Sequence, residues 1–186
     1  MLLRSNPLIS NPALPYVGWL LLAHVFLPAA PFGSIAARLR KNPNENWRMP
    51  PSIYLIAWIL MSLGYTYSGV MKLTSLSWLD GSALARILSN PLARPGILRE
   101  SLLALPAPFL KIATWGALTL EISFAPLALF RRIRPWIWSA MLGLHIGLFL
   151  LISFPDLTAG MVLLHLFTFD PAWIGASSRT RLGLKI

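Results

Sequence analysis

Three ionisable side chains interrupt stretches that are otherwise apolar: Lys72 in YTYSGVMKL, Glu121 in GALTLEISFAPLALF and His145 in PWIWSAMLGLHIGLFLL. An ion in hydrocarbon is costly, so each of these groups needs a partner or a task. Lys72 has two readings. At the end of its apolar stretch it can snorkel its ammonium to the membrane surface. Desolvated enough to be partly neutral, it can instead serve as a base. Glu121 is either a hydrogen-bonded carboxyl that holds helices together or a carboxylate that handles protons with a basic partner. His145 lies near mid-depth of the next block, across a short basic hairpin from Glu121. The two are therefore expected to meet in a helix–helix hydrogen bond. His24 and His165 stand in two further blocks, but no HxxxH or ExxH spacing points to a metal site. The chain has no cysteine, which excludes disulfides, thiolate nucleophiles and cysteine-ligated metals or clusters.

The elements that must hold these groups are membrane helices. Hydrophobic residues make up 56% of the chain and charged residues 12%, and mean hydropathy is +0.64. A soluble domain carries about 25% charged residues, so this chain lacks the charge to cover a water-facing surface. Five blocks approach the roughly 20 apolar residues that a span needs: 14–36, 51–73, 102–130, 135–154 and the shorter 157–176. The first has the Arg4, apolar stretch and small residues of a secretory signal, and is read as a retained helix. All of 1–186 is expected to form one membrane domain, an all-α polytopic bundle of about five transmembrane helices.

Between the second and third blocks, residues 80–90 form an expected interfacial helix. Asp80 caps its start, Leu84, Ile87 and Leu88 share one face, and Arg86 lies on another. Pro91, Pro95, Pro106 and Pro108 then redirect the chain. Gly143 with Gly147, and Gly64 with Ser68, are spaced for close helix packing.

The net charge of +10 does not indicate nucleic acid, because the basic residues sit in short loops without aromatic interleaving. Arg38, Arg40, Lys41 and Arg48, then Arg131, Arg132 and Arg134, then Arg179, Arg181 and Lys185 fall on one side if the five blocks alternate. The positive-inside rule makes that side the cytoplasm, with the N-terminus outside and the C-terminus inside.

The stretch YTYSGVMKLTSLSWLDGSAL, residues 65–84, resembles the signature of the HTTM domain. That membrane domain is shared by vitamin K-dependent γ-glutamyl carboxylase and many bacterial relatives. In it an aromatic-rich helix ends in a small residue, Gly, an apolar position, any residue, Lys and Leu, followed by a Trp and an acidic-Gly turn. Here these are Ser68, Gly69, Val70, Met71, Lys72, Leu73, Trp78, Asp80 and Gly81. Glu121 then precedes the basic RRIR hairpin, and LGLHIGLFLLISFPDLTAGMVLLHLFTFDPAW resembles the family's closing His-containing segment. The resemblance extends over about residues 15–175. The family domain usually has further helices before the matched region, and the animal carboxylase adds a large lumenal domain; this chain is expected to lack both.

The resemblance implies a multi-pass protein of the bacterial inner membrane. It places Lys72 at the position of the lysine that serves the carboxylase as base towards reduced vitamin K, and His145 at a histidine of the closing segment. The deprotonated hydroquinone reacts with oxygen, the resulting strong base removes a proton from a glutamate γ-carbon, and carbon dioxide adds there. Two functions from different classes follow. In one, a quinol or vitamin K-like reductant binds between spans, with Lys72, Glu121 and His145 as catalytic groups and Tyr65, Tyr67 and Trp78 lining its groove. In the other, the chain is a non-catalytic accessory or assembly subunit, whose partners besides the lipid bilayer are other membrane protein subunits. A transporter fits less well, because no inverted repeat is visible.

Overall fold

The computed structural model describes residues 14–26, 50–153, 156–170 and 172–173. Among these residues the chain is helical, without a strand: α1 (Leu14–His24), α2 (Pro51–Lys72), α3 (Leu76–Leu79), α4 (Ala83–Leu88), α5 (Ile97–Leu103), α6 (Ala107–Ala128), α7 (Arg134–Leu151) and α8 (Asp156–Thr168). The three long helices each begin with a proline in the first turn, Pro51, Pro108 and Pro135, where the missing N–H costs nothing. α2 and α7 are long and apolar enough to cross a bilayer, and α5 with α6 make a third such unit only if taken together.

That pair corrects one expected boundary. The block 102–130 is not one straight helix: α5 meets α6 at a bend of 108°, and the long helix starts at Ala107. Pro106 and Pro108 sit at the bend and account for it. The block 157–176 becomes α8, 13 residues or about 20 Å long, short of a full span. The expected first span is described only to Phe26, and the remainder of 14–36 lies outside the described residues. The same holds for Arg4, for the basic loop from Arg38 to Arg48 and for the tail with Arg179, Arg181 and Lys185.

The expected interfacial helix is shorter than 80–90 and not started by Asp80. Asp80 ends α3, and its Oδ1 accepts the amide of Ser82 at 2.7 Å, forming a turn. Ser82 holds the Asp80 carboxyl below its ordinary value, through its hydroxyl first and its amide second. Gly81, at φ +80, makes the turn possible and brings the chain against Lys111 and Trp115. The connector is then pinned to α6: the Leu84 amide donates to Thr114 Oγ1 at 3.1 Å, and Trp115 Nε1 donates to the Leu79 carbonyl at 3.2 Å. Further on it is pinned to the end of α7, where the Arg94 amide donates to the Leu151 carbonyl at 2.7 Å and Ser153 returns a bond to Leu92.

α2 and α6 form the tightest pair, and two residues explain why. At Gly69 a Cβ would lie 2.8 Å from the backbone nitrogen of Ile122, so only glycine allows the approach. One turn earlier, Thr66 Oγ1 accepts the Ala125 amide at 3.1 Å and faces the carbonyls of Glu121 and Ile122 at 3.3 and 3.4 Å. Pro126 leaves the Ile122 carbonyl without its helical donor, so the Thr66 hydroxyl serves a group that would otherwise be unpaired in an apolar setting. The core behind this pair is aromatic: Trp58, Tyr65, Phe124 and Trp138 pack with Met61, Met141 and Leu164.

The close-packing glycines are thus Gly69 and Gly64, the latter against Tyr16, whereas Gly143 and Gly147 meet nothing within 4 Å among the described residues. Gly69→Val should therefore lower thermal stability in detergent by about 1–3 kcal/mol, since backbone cannot yield to the new methyls. Gly143→Ala should be neutral or stabilising, because alanine gains up to about 1 kcal/mol of helix propensity where space is open. Equal melting temperatures for the two variants would show that Gly69 does not set the helix spacing.

Candidate functional site

Lys72 ends α2 three residues after Gly69, and Glu121 precedes Ile122 on α6. The close approach at Gly69 therefore brings the two ionisable groups together. Lys72 Nζ lies against both carboxylate oxygens of Glu121 in an ion pair. The Glu121 side chain is 8% exposed and that of Lys72 24%, so solvent screens the pair little. On its other side the ammonium stands 4.6 Å from the centre of the Trp78 ring, a cation–π contact supplied by α3. The lysine is thus held between a carboxylate and an aromatic face, and does not extend freely to the surface.

A cavity of about 360 Å³ opens beside this pair. Tyr65, Tyr67 and Ser68 of α2, Leu144, His145 and Leu148 of α7, Met161 of α8 and Tyr16 of α1 line it together with Lys72 and Glu121. Its volume is in the range of small-molecule sites, and its walls are apolar apart from a few convergent polar groups. Tyr65 is buried and Tyr67 is exposed, so the first belongs to the floor and the second to the rim.

Behind the cavity Tyr65, His145 and His165 form a triangle of rings, with centroid separations of 5.5, 5.7 and 5.9 Å. His165 Nδ1 lies 2.9 Å from the Met161 carbonyl and 3.4 Å from the Tyr65 hydroxyl. His145 is buried, yet neither of its ring nitrogens has a hydrogen-bond partner among the described residues. Buried polar atoms are rarely left so, and one that borders a cavity is available to a ligand.

All six residues singled out from the sequence fall at or beside this site, though not in the arrangement expected. Glu121 and His145 share the cavity but no hydrogen bond; the carboxylate is turned to Lys72. The reason is electrostatic, since an ammonium is a stronger partner for a carboxylate than a neutral imidazole. Trp78 covers Lys72 from the connector and is not among the cavity-lining residues; Tyr65 and Tyr67 are. Two participants, Tyr16 and His165, were not placed in this site from the sequence. Tyr16 is an uncharged side chain in an apolar block, and neither charge nor spacing singles it out. His165 had a usable signal, since an imidazole is rare in an apolar block and this one lies in the block that directly follows that of His145.

The model of the HTTM domain matches residues 16–173, which include every residue named in this site. No curated protein and no solved structure gives a significant match to the chain.

Proposed function

The chain belongs to the HTTM-domain family, linked to vitamin K-dependent carboxylase-like membrane proteins, and from that premise we propose that it is a multi-pass membrane protein with a proton-transfer site for a quinol-type ligand. The observation that carries the reading is the convergence of a lysine–glutamate pair and an unpartnered buried histidine on one apolar cavity. The residues present fit such a ligand. Apolar walls suit a prenylated ring, and His145 offers a hydrogen bond to a ring oxygen. A bound quinol would supply an acidic hydroxyl and, once deprotonated, reactivity towards oxygen.

The chain's own groups have distinct tasks. The Lys72–Glu121 pair holds one proton at either of two places, as ammonium with carboxylate or as amine with carboxylic acid. In the second form Lys72 Nζ carries a free electron pair and accepts a proton, while Glu121 keeps the one that the lysine gave up. Trp78 covers Lys72 Nζ with its ring face and so keeps the side chain directed at Glu121. Tyr65 and His145 orient a ligand from the floor of the cavity, and the connector limits access of water from the adjoining surface.

A photoreactive naphthoquinone tests the ligand class in membranes containing the full chain. Labelling should concentrate on peptides of α2, α6 and α7 around Tyr65, Glu121 and His145, and unlabelled naphthoquinone should compete it away. Ser68→Trp, which fills the cavity, should remove it. Labelling spread evenly over lipid-facing tryptophans would sink the proposal.

One observation favours the second function, an accessory subunit. Gly143 and Gly147 present an open, small-residue face on α7, suited to a helix from another chain. Under that reading the charge pair is a structural clasp and its lysine can be exchanged for arginine without consequence.

A further inference from the structure

A second recess lies between α2 and α6, towards the opposite end of α2 from Lys72, and shares no lining residue with the cavity. It encloses about 400 Å³ and is walled by Leu55, Trp58 and Ile59 of α2, by Pro126 of α6 and by Leu129 just after that helix, with Arg134 at one end. Its rim faces outward: Leu55 is 59% and Leu129 77% exposed. In a membrane this is a lipid-facing slot closed at one end by a guanidinium.

That guanidinium is held in place. Arg134 Nε donates to the Ala128 carbonyl at 2.8 Å, and its Cζ lies 5.2 Å from the centre of the Trp58 ring. Its two terminal nitrogens have no acceptor among the described residues, and neither described salt bridge involves the 131–134 hairpin. Arg131 and Arg132 stand exposed beside it. Among the described residues three arginines within four positions thus lack an acidic partner, and a planar guanidinium with two terminal donors matches a phosphodiester. An apolar slot ending in such a group is complementary to an amphiphile with an anionic head.

We propose that this recess binds one anionic phospholipid, with its phosphodiester on the terminal nitrogens of Arg134 and an acyl chain along the slot between α2 and α6. Ordinary boundary lipid would occupy the slot without regard to headgroup charge. A seated lipid would discriminate, because Arg134 is fixed by the Ala128 carbonyl and by Trp58 before the lipid arrives.

The full chain in detergent, stripped of lipid and offered phosphatidylglycerol or phosphatidylcholine of equal chain length, tests this by native mass spectrometry. Phosphatidylglycerol should be retained one per chain, about tenfold more tightly than phosphatidylcholine, whose phosphodiester is offset by a choline cation that the Arg134 guanidinium repels. Arg134→Gln should abolish the preference, and Arg131→Gln with Arg132→Gln should leave most of it. Because Arg134 also caps a helix end, Ile59→Trp supplies an independent check: it fills the slot from a lipid-facing position and should reduce phosphatidylglycerol retention with Arg134 intact. Equal retention of the two lipids would overturn the proposal. So would a preference that follows Arg131 and Arg132 instead of Arg134, or one that Ile59→Trp leaves unchanged.

Discussion

Glu121→Leu should lower the stability of the chain in detergent by about 3–5 kcal/mol, and adding Lys72→Met to it should restore most of that loss. The single change leaves an ammonium against an apolar wall, with only the Trp78 ring for compensation. The ceiling follows from chemistry, because a stranded ion can neutralise itself. At pH 7 that costs about 5 kcal/mol for an ordinary lysine and about 4 kcal/mol for an ordinary glutamate. Lys72→Met alone should fall near the lower figure, since it strands the more buried partner. Removing both charges leaves a methionine and a leucine across the Gly69 contact, an apolar pairing that the surrounding helices accept. Glu121→Gln should fall between wild type and Glu121→Leu, because an amide still accepts a hydrogen bond from Lys72. Thermal melts of the four-member cycle give the coupling directly. Strict additivity of the two single losses would mean that the charges do not hold one another.

The sequence showed the site's chemical inventory more clearly than its wiring. Lys72, Glu121 and His145 stood out because charge and imidazole are rare in apolar blocks, and this signal needs no fold. Position relative to the hairpin suggested that Glu121 and His145 lie near one another, and both border the cavity. It could not say which way the carboxylate turns. That depends on the α2–α6 approach at Gly69, where one missing Cβ decides whether Lys72 is within reach. Helix ends were legible where proline marks a first turn, as at Pro51 and Pro135, and less so at Pro106 and Pro108. There the prolines were recognised as breaks, but hydropathy alone joined a bent pair into one block. Asp80 failed as a helix cap for a local reason. A carboxylate followed by Gly-Ser can bond the amide two residues on, and this turn competes with capping at the same residue.

Lys72→Arg should leave the fold intact and reduce proton abstraction from a reduced naphthoquinone by about 100-fold or more, the range assigned to a positioned general base. Arginine keeps the positive charge, so Glu121 retains its ion pair and the Trp78 ring retains its cation. It cannot give the amine form, because its guanidinium stays protonated at any workable pH. The substitution therefore separates the two tasks of the lysine, holding Glu121 and accepting a proton. Oxygen uptake by membranes containing the chain, above that of protein-free vesicles with the same quinol, reads the second task. A melting temperature measured on the same preparation reads the first. Lys72→Met serves as the reference that loses both. Full oxygen uptake in Lys72→Arg would exclude Lys72 as the base, whatever the ligand. Uptake no greater than that of protein-free vesicles in the wild-type chain, with an unchanged melt in Lys72→Arg, would assign the pair to the clasp of an accessory subunit. Loss of uptake together with a melt as poor as that of Lys72→Met would mean that arginine does not fit between Glu121 and Trp78. The test would then move to Glu121→Gln, which keeps a hydrogen bond to Lys72 but cannot take its proton. Under the proton-transfer reading that variant should lose uptake by a comparable factor while melting closer to wild type than Glu121→Leu does.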